Sequence, residues 1–167
     1  MRATLVIAVL LYLAVPALGF AELPRPKYTT LVIEFVGEMD RPVFPIVIST
    51  SLEEGEWYRQ NLFKEPTRIF ANVEVVSAST MKEITELPLL KHALEKAKPT
   101  DDKEPKSTPT VRFIGGVGHD HAQIMLDAQT SMKILIGIDK QVAQNGKLQS
   151  QIQEVKSRIT GAKEQHR

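Results

Sequence analysis

Val43-Phe44-Pro45-Ile46-Val47-Ile48-Ser49-Thr50-Ser51-Leu52-Glu53-Glu54 is the stretch whose reading decides the fold. Val43 to Ser49 is apolar throughout up to its last residue, as expected of a strand covered on both faces. Pro45 has no N–H to give to a ladder, so the strand proper is expected to begin at Ile46. Ser51 and Glu54 have the spacing of a capping box, and Leu52, Tyr58 and Leu62 can share one face of the helix it opens. A strand that runs straight into a helix argues for helices packed on a sheet.

Working outward toward the N-terminus, Gly37 to Pro42 reads as a turn and Tyr28 to Val36 as a strand rich in Thr, Val, Ile and Phe. Toward the C-terminus, Pro66 ends the helical region and Val73 to Ser77 reads as a third strand. Thr80 and Glu83 make a second capping box, followed by Ile84, Leu87, Leu90, Leu94 and Ala97 at helical spacing. Pro88 inside that pattern either kinks one helix or opens a second. Lys98 to Pro109 offers no apolar side chain except proline and is expected to be the most mobile internal segment. Thr110 to Ile114 reads as a fourth strand, Gly115 to Asp120 as a turn, and Ala122 to Leu126 as a fifth strand. Thr130 is placed to cap a helix through Met132, Leu135, Ile138 and Val142, and Asn145-Gly146 is a turn or C-cap signal.

The expected fold is therefore α/β: a single mixed sheet of about five strands, in chain order β-β-α-β-α-β-β-α, with helices packed on it and a long C-terminal helix. Residues 22–145 form the α/β domain and 146–167 a helical tail. In the tail Leu148, Ile152, Val155 and Ile159 step by 4, 3 and 4. That seam suits a coiled-coil contact in a homo-oligomer, and equally an amphipathic helix lying on the sheet.

The first residues read as an export signal. Arg2 precedes an unbroken apolar run from Leu5 to Val15, Pro16 breaks it, and Ala17-Leu18-Gly19-Phe20-Ala21 supplies small residues for cleavage near Ala21. The alternative is an uncleaved anchor, since Ala3 to Ala21 is nearly long enough to span a bilayer. Arg2 is the only charge in residues 1–21, so of 21 Lys+Arg and 20 Asp+Glu the remainder is formally neutral. Neutrality argues against nucleic acid and against electrostatic attachment to a membrane after cleavage. With no cysteine, thiol chemistry is excluded, and an exported domain without disulfides points to a bacterial periplasmic or secreted protein.

Arg41-Pro42-Val43 with Ile46-Val47-Ile48-Ser49-Thr50-Ser51 resembles the strand that leads to the redox loop of the thioredoxin-like fold. Thr108-Pro109-Thr110-Val111-Arg112-Phe113-Ile114 resembles the cis-proline segment that faces that loop. The redox cysteines are missing, and Ser49-Thr50-Ser51-Leu52 stands in their place. The resemblance implies a fold without thiol–disulfide exchange. It further implies a ligand-facing surface of Ser49, Thr50, Ser51, Thr108 and Pro109, a cis Thr108–Pro109 bond, a strand at Thr110 antiparallel to its neighbours, and His119 and His121 at the far edge of the sheet. Simple right-handed β-α-β crossovers imply the opposite: parallel strands at Ile46, Val73 and Thr110, whose following loops meet at one edge.

His119, Asp120 and His121 are the residues that cluster as metal ligands, with Asp127 a further candidate. The serine-rich helix starts at Ser51 and Ser77 to Thr80 suit an anion, or plain capping. No cofactor motif is present. The functional expectation is an exported, non-catalytic α/β domain that binds a protein, peptide or small ligand. The alternative is a metal-dependent or hydrolytic enzyme built on the Gly118 to His121 loop.

Overall fold

The computed structural model describes residues 26–36, 44–97 and 110–165. The signal at residues 1–21, the turn at 37–42, the loop at 98–109 and the Thr108–Pro109 bond lie outside the described residues.

Five strands form one open mixed sheet: β1 (Thr30–Val36), β2 (Ile46–Ser49), β3 (Asn72–Val75), β4 (Thr110–Val117) and β5 (Asp120–Asp127). Their order in the sheet is β3-β2-β1-β4-β5. β1 is antiparallel to both β2 and β4, β2 is parallel to β3, and β4 and β5 form an antiparallel hairpin. β2, β3 and β4 therefore point the same way. The helices are α1 (Leu52–Leu62), the short α2 (Thr67–Phe70), α3 (Ala78–Thr85), α4 (Pro88–Lys96), α5 (Ala128–Gln141) and α6 (Gly146–Gln165).

Strand alternation sends side chains to two cores. Leu31, Ile33 and Phe35 of β1, Ile46 and Ile48 of β2, and Val111 and Phe113 of β4 face the larger core, closed by residues of α3, α4, α5 and α6. Val32, Val47 and Ile114 point to the other face, where Tyr58 of α1 packs with Phe63 and Ala71. Val47 is walled on one face and its neighbours on the other, which is why β2 reads as a continuous apolar run. Strand β2 begins at Ile46, as Pro45 requires. Of the residues expected on the buried face of α1, Tyr58 is fully buried but Leu52 is 59% exposed, because it sits in the first turn beyond the sheet.

Several boundaries differ from the sequence expectation. Helix α3 is capped by Ser77, whose Oγ accepts from the Thr80 N–H, so it starts before the Thr80–Glu83 pair. Helix α5 is likewise capped by Asp127 rather than Thr130; the Asp127 carboxylate accepts from the N–H groups of Gln129 and Thr130. These bonds, the Thr130 backbone N–H first, hold the Asp127 carboxyl below the usual range. Pro88 opens α4 as a first-turn residue. Gly115 and Gly116 are not part of the turn but lie inside β4, which continues to Val117.

Helix α6 is part of the fold rather than an appendage. Leu148, Ile152, Val155 and Ile159 are 0–1% exposed and belong to the larger core. The seam offered to a second subunit is thus buried in this chain. Lys156 on α6 also ion-pairs with Asp139 of α5 at 3.0 Å. Among the described residues no helix is long and apolar enough to cross a membrane.

Candidate functional site

Because β2, β3 and β4 run in one direction, their C-terminal ends share one edge of the sheet. Ser49 to Ser51 follow β2, Val76 and Ser77 follow β3, and Gly118 and His119 follow β4. This is the edge at which open α/β sheets commonly bind ligands. His119 thus lies at the same edge as Ser51, as the parallel arrangement implies, and not on the far side, while β4 runs antiparallel to both of its neighbours, as the thioredoxin-like resemblance implies. The cause is β1, which lies between β2 and β4 and is antiparallel to each. Thr108 and Pro109 fall outside the described residues, but the strand they lead into starts at Thr110, opposite Val36. Ser49 pairs with Thr30 at the other end of β1.

The serines at this edge have structural partners. Ser49 is fully buried, and its Oγ lies 2.9 Å from the Thr30 hydroxyl. Thr50 donates its backbone N–H to the Thr29 carbonyl at 2.9 Å. Ser51 caps α1, with its Oγ accepting from the Glu54 N–H at 3.2 Å. The reciprocal half of the expected capping box is replaced by a longer reach. The Glu54 carboxylate accepts from the Gly118 N–H at 2.9 Å and from the Thr29 hydroxyl at 2.5 Å. One side chain on α1 thereby pins the β4–β5 turn and the start of β1.

Two aromatic contacts complete the clasp. Trp57 stacks on the His119 ring with centroids 4.2 Å apart and planes inclined by 13°. Tyr58 meets His121 edge-on at 6.2 Å and donates its hydroxyl to the Asp120 carbonyl at 2.9 Å. Burial first, then the carboxylates of Glu54 and Asp120, push the Tyr58 hydroxyl up to about 12. The Tyr58 ring lies so close to β4 that a Cβ on Gly116 would sit 2.1 Å from the phenol oxygen. Gly116 is therefore a close-approach glycine. Gly118, at φ +58°, is the residue that makes the turn.

His119 and His121 thus have different partners, Trp57 and Tyr58. Among the described residues no three His, Asp or Glu side chains converge as a metal-ligand set. Asp127 pairs with Thr110 at the opposite end of β5 from Asp120, so it cannot join the turn residues. Along this edge Leu52, Val75 and Val117 are 59%, 49% and 45% exposed, with Val75 and Val117 at the ends of strands separated by β2 and β1. A cavity of about 350 Å³ opens next to Val75, lined by Ser77, Thr80, Lys140 and Asn145 among others. Trp57, Tyr58 and the outward role of Glu54 were not marked by any local motif; that Trp57 is the single tryptophan is the one signal the sequence offers.

The class these features define is an α/β domain with an open mixed sheet and a clasped hairpin turn at the edge shared by the ends of β2, β3 and β4. No protein-family model, curated protein or solved structure gives a significant match to the chain.

Proposed function

We propose that this chain is an exported, non-catalytic domain that binds a protein or peptide at the shared edge of β2, β3 and β4. The observation that carries the reading is the character of that edge. Its hydroxyls and its Glu54 carboxylate are engaged in caps and latches, while Leu52, Val75 and Val117 present aliphatic surface beside them. Exposed aliphatic side chains spread along one sheet edge, with a stacked aromatic beside them, suit recognition of another polypeptide. Catalysis would instead need a nucleophile and base with freedom to exchange protons.

The test is capture from the exported fraction using wild type and a Leu52→Glu/Val117→Glu double variant. A defined polypeptide should co-purify in stoichiometric amount with wild type and be absent with the variant. Equal recovery with both, or hydrolytic turnover by metal-loaded protein that fails in a His119→Ala variant, would overturn the reading.

A further inference from the structure

The two margins of the sheet are built differently. β3, on one side, has only four residues. Its Glu74 is drawn into contact with α6, accepting from Lys147 Nζ at 2.6 Å and Gln151 Nε2 at 3.2 Å. A short strand tied to a helix is a protected margin. β5, on the other side, has eight residues, Asp120-His121-Ala122-Gln123-Ile124-Met125-Leu126-Asp127. It matches β4 one to one from Asp120 to Asp127 without a bulge, and it contains no proline, glycine or lysine. Its six central residues are half-buried and its outer backbone edge has no partner strand among the described residues. The features that normally blunt an open margin are missing here, except for a carboxylate at each end.

Those carboxylates select the occupant: Asp120 is exposed, and Asp127 keeps its negative charge while its oxygens cap α5. If two copies of β5 paired antiparallel about Gln123 and Ile124, Asp120 of one would oppose Asp127 of the other at both ends. Like charges directly opposite each other are unfavourable, so full-register self-pairing is discouraged. A foreign strand with basic residues at both ends meets an opposite charge at each end, in either chain direction. We propose that β5 accepts an extended peptide by strand addition, with apolar residues alternating between two basic residues seven positions apart. The inference rests on reading the chain as a binding domain and adds the chemistry and mode of one partner.

The test uses two labelled eight-residue peptides with the same alternating Val and Thr interior, one with lysine at both ends and one with glutamate. Fluorescence anisotropy should show the lysine-ended peptide binding at least about tenfold tighter, since two attractive pairs replace two repulsive ones. Asp120→Lys, at an exposed position where Tyr58 bonds to the backbone carbonyl and not to the carboxylate, should erase that preference. Hydrogen exchange of the wild-type complex should show new amide protection within residues 120–127. Equal affinity for the two peptides, or binding without protection of β5, overturns the proposal. A Leu52→Glu/Val75→Glu variant, altered at exposed edge residues away from β5, should bind the lysine-ended peptide like wild type. Loss of binding there would assign the peptide to the apolar edge, overturning strand addition while sustaining the broader reading.

Discussion

At Gly116 the structure concentrates a single-atom constraint. Tyr58 is fully buried, its hydroxyl is anchored on the Asp120 carbonyl, and a methyl group at position 116 would lie 2.1 Å from it. The ring cannot swing away without breaking that anchor and unpacking Phe63 and Ile114 beside it. Gly116→Ala is expected to cost about 1–3 kcal/mol, the usual penalty of overpacking, as read by urea denaturation. Tyr58→Phe should cost about 1 kcal/mol at neutral pH through the lost hydrogen bond. It should also change the alkaline limb. Burial holds the native phenol up to about 12 against an ordinary value of 10.0. Its contribution is thus whole below pH 10 and is lost as pH rises through about 12. Wild type should lose stability across that window, and Tyr58→Phe should lose measurably less, by thermal melts at matched ionic strength.

At the scale of elements, both helices that start differently from expectation do so for one reason. A hydroxyl three residues inside the helix looks like a cap in the sequence. In each case the earlier residue, Ser77 or Asp127, takes the backbone N–H, and Thr80 or Thr130 bonds to that cap from the first turn. Ser77→Ala should therefore destabilise by about 1 kcal/mol, and Thr80→Ala by clearly less, in paired chemical denaturation curves. What the sequence exposed were features set by local geometry: Pro45 before β2, the Ser51 cap, the apolar seam of α6, and Pro88 as a kink or a helix start, of which the second is found. Hidden from it were features set by partners distant along the chain. Gly115-Gly116 reads as a turn because nothing nearby reveals that Tyr58 will press on the strand there. Glu54 reads as half of a capping box because Thr29 and Gly118, its real partners, lie far away along the chain. The shared edge of Ser51 and His119 depends on where β1 inserts, and no local pattern encodes strand order.

For the whole molecule, α6 decides whether residues 26–145 can stand alone. Leu148, Ile152, Val155 and Ile159 close the larger core. Ile152→Ala should cost about 2–5 kcal/mol, and a chain ending before Gly146 should show no cooperative thermal transition by circular dichroism. The central place of β1 has a further consequence, for timing. β1 sits near the beginning of the chain, yet one of its two neighbours is β4, and Thr29 reaches Gly116 across 87 residues. The middle of the sheet stays unpaired on one side until most of the polypeptide has been made, and α6 closes the core only at the end. Long-range pairing of this kind slows folding. For a protein threaded N-terminus first through a translocation pore, such delay is useful. Such a protein would stay an unfolded, transportable thread during passage and lock into shape once its last strand pairing and its closing helix had emerged.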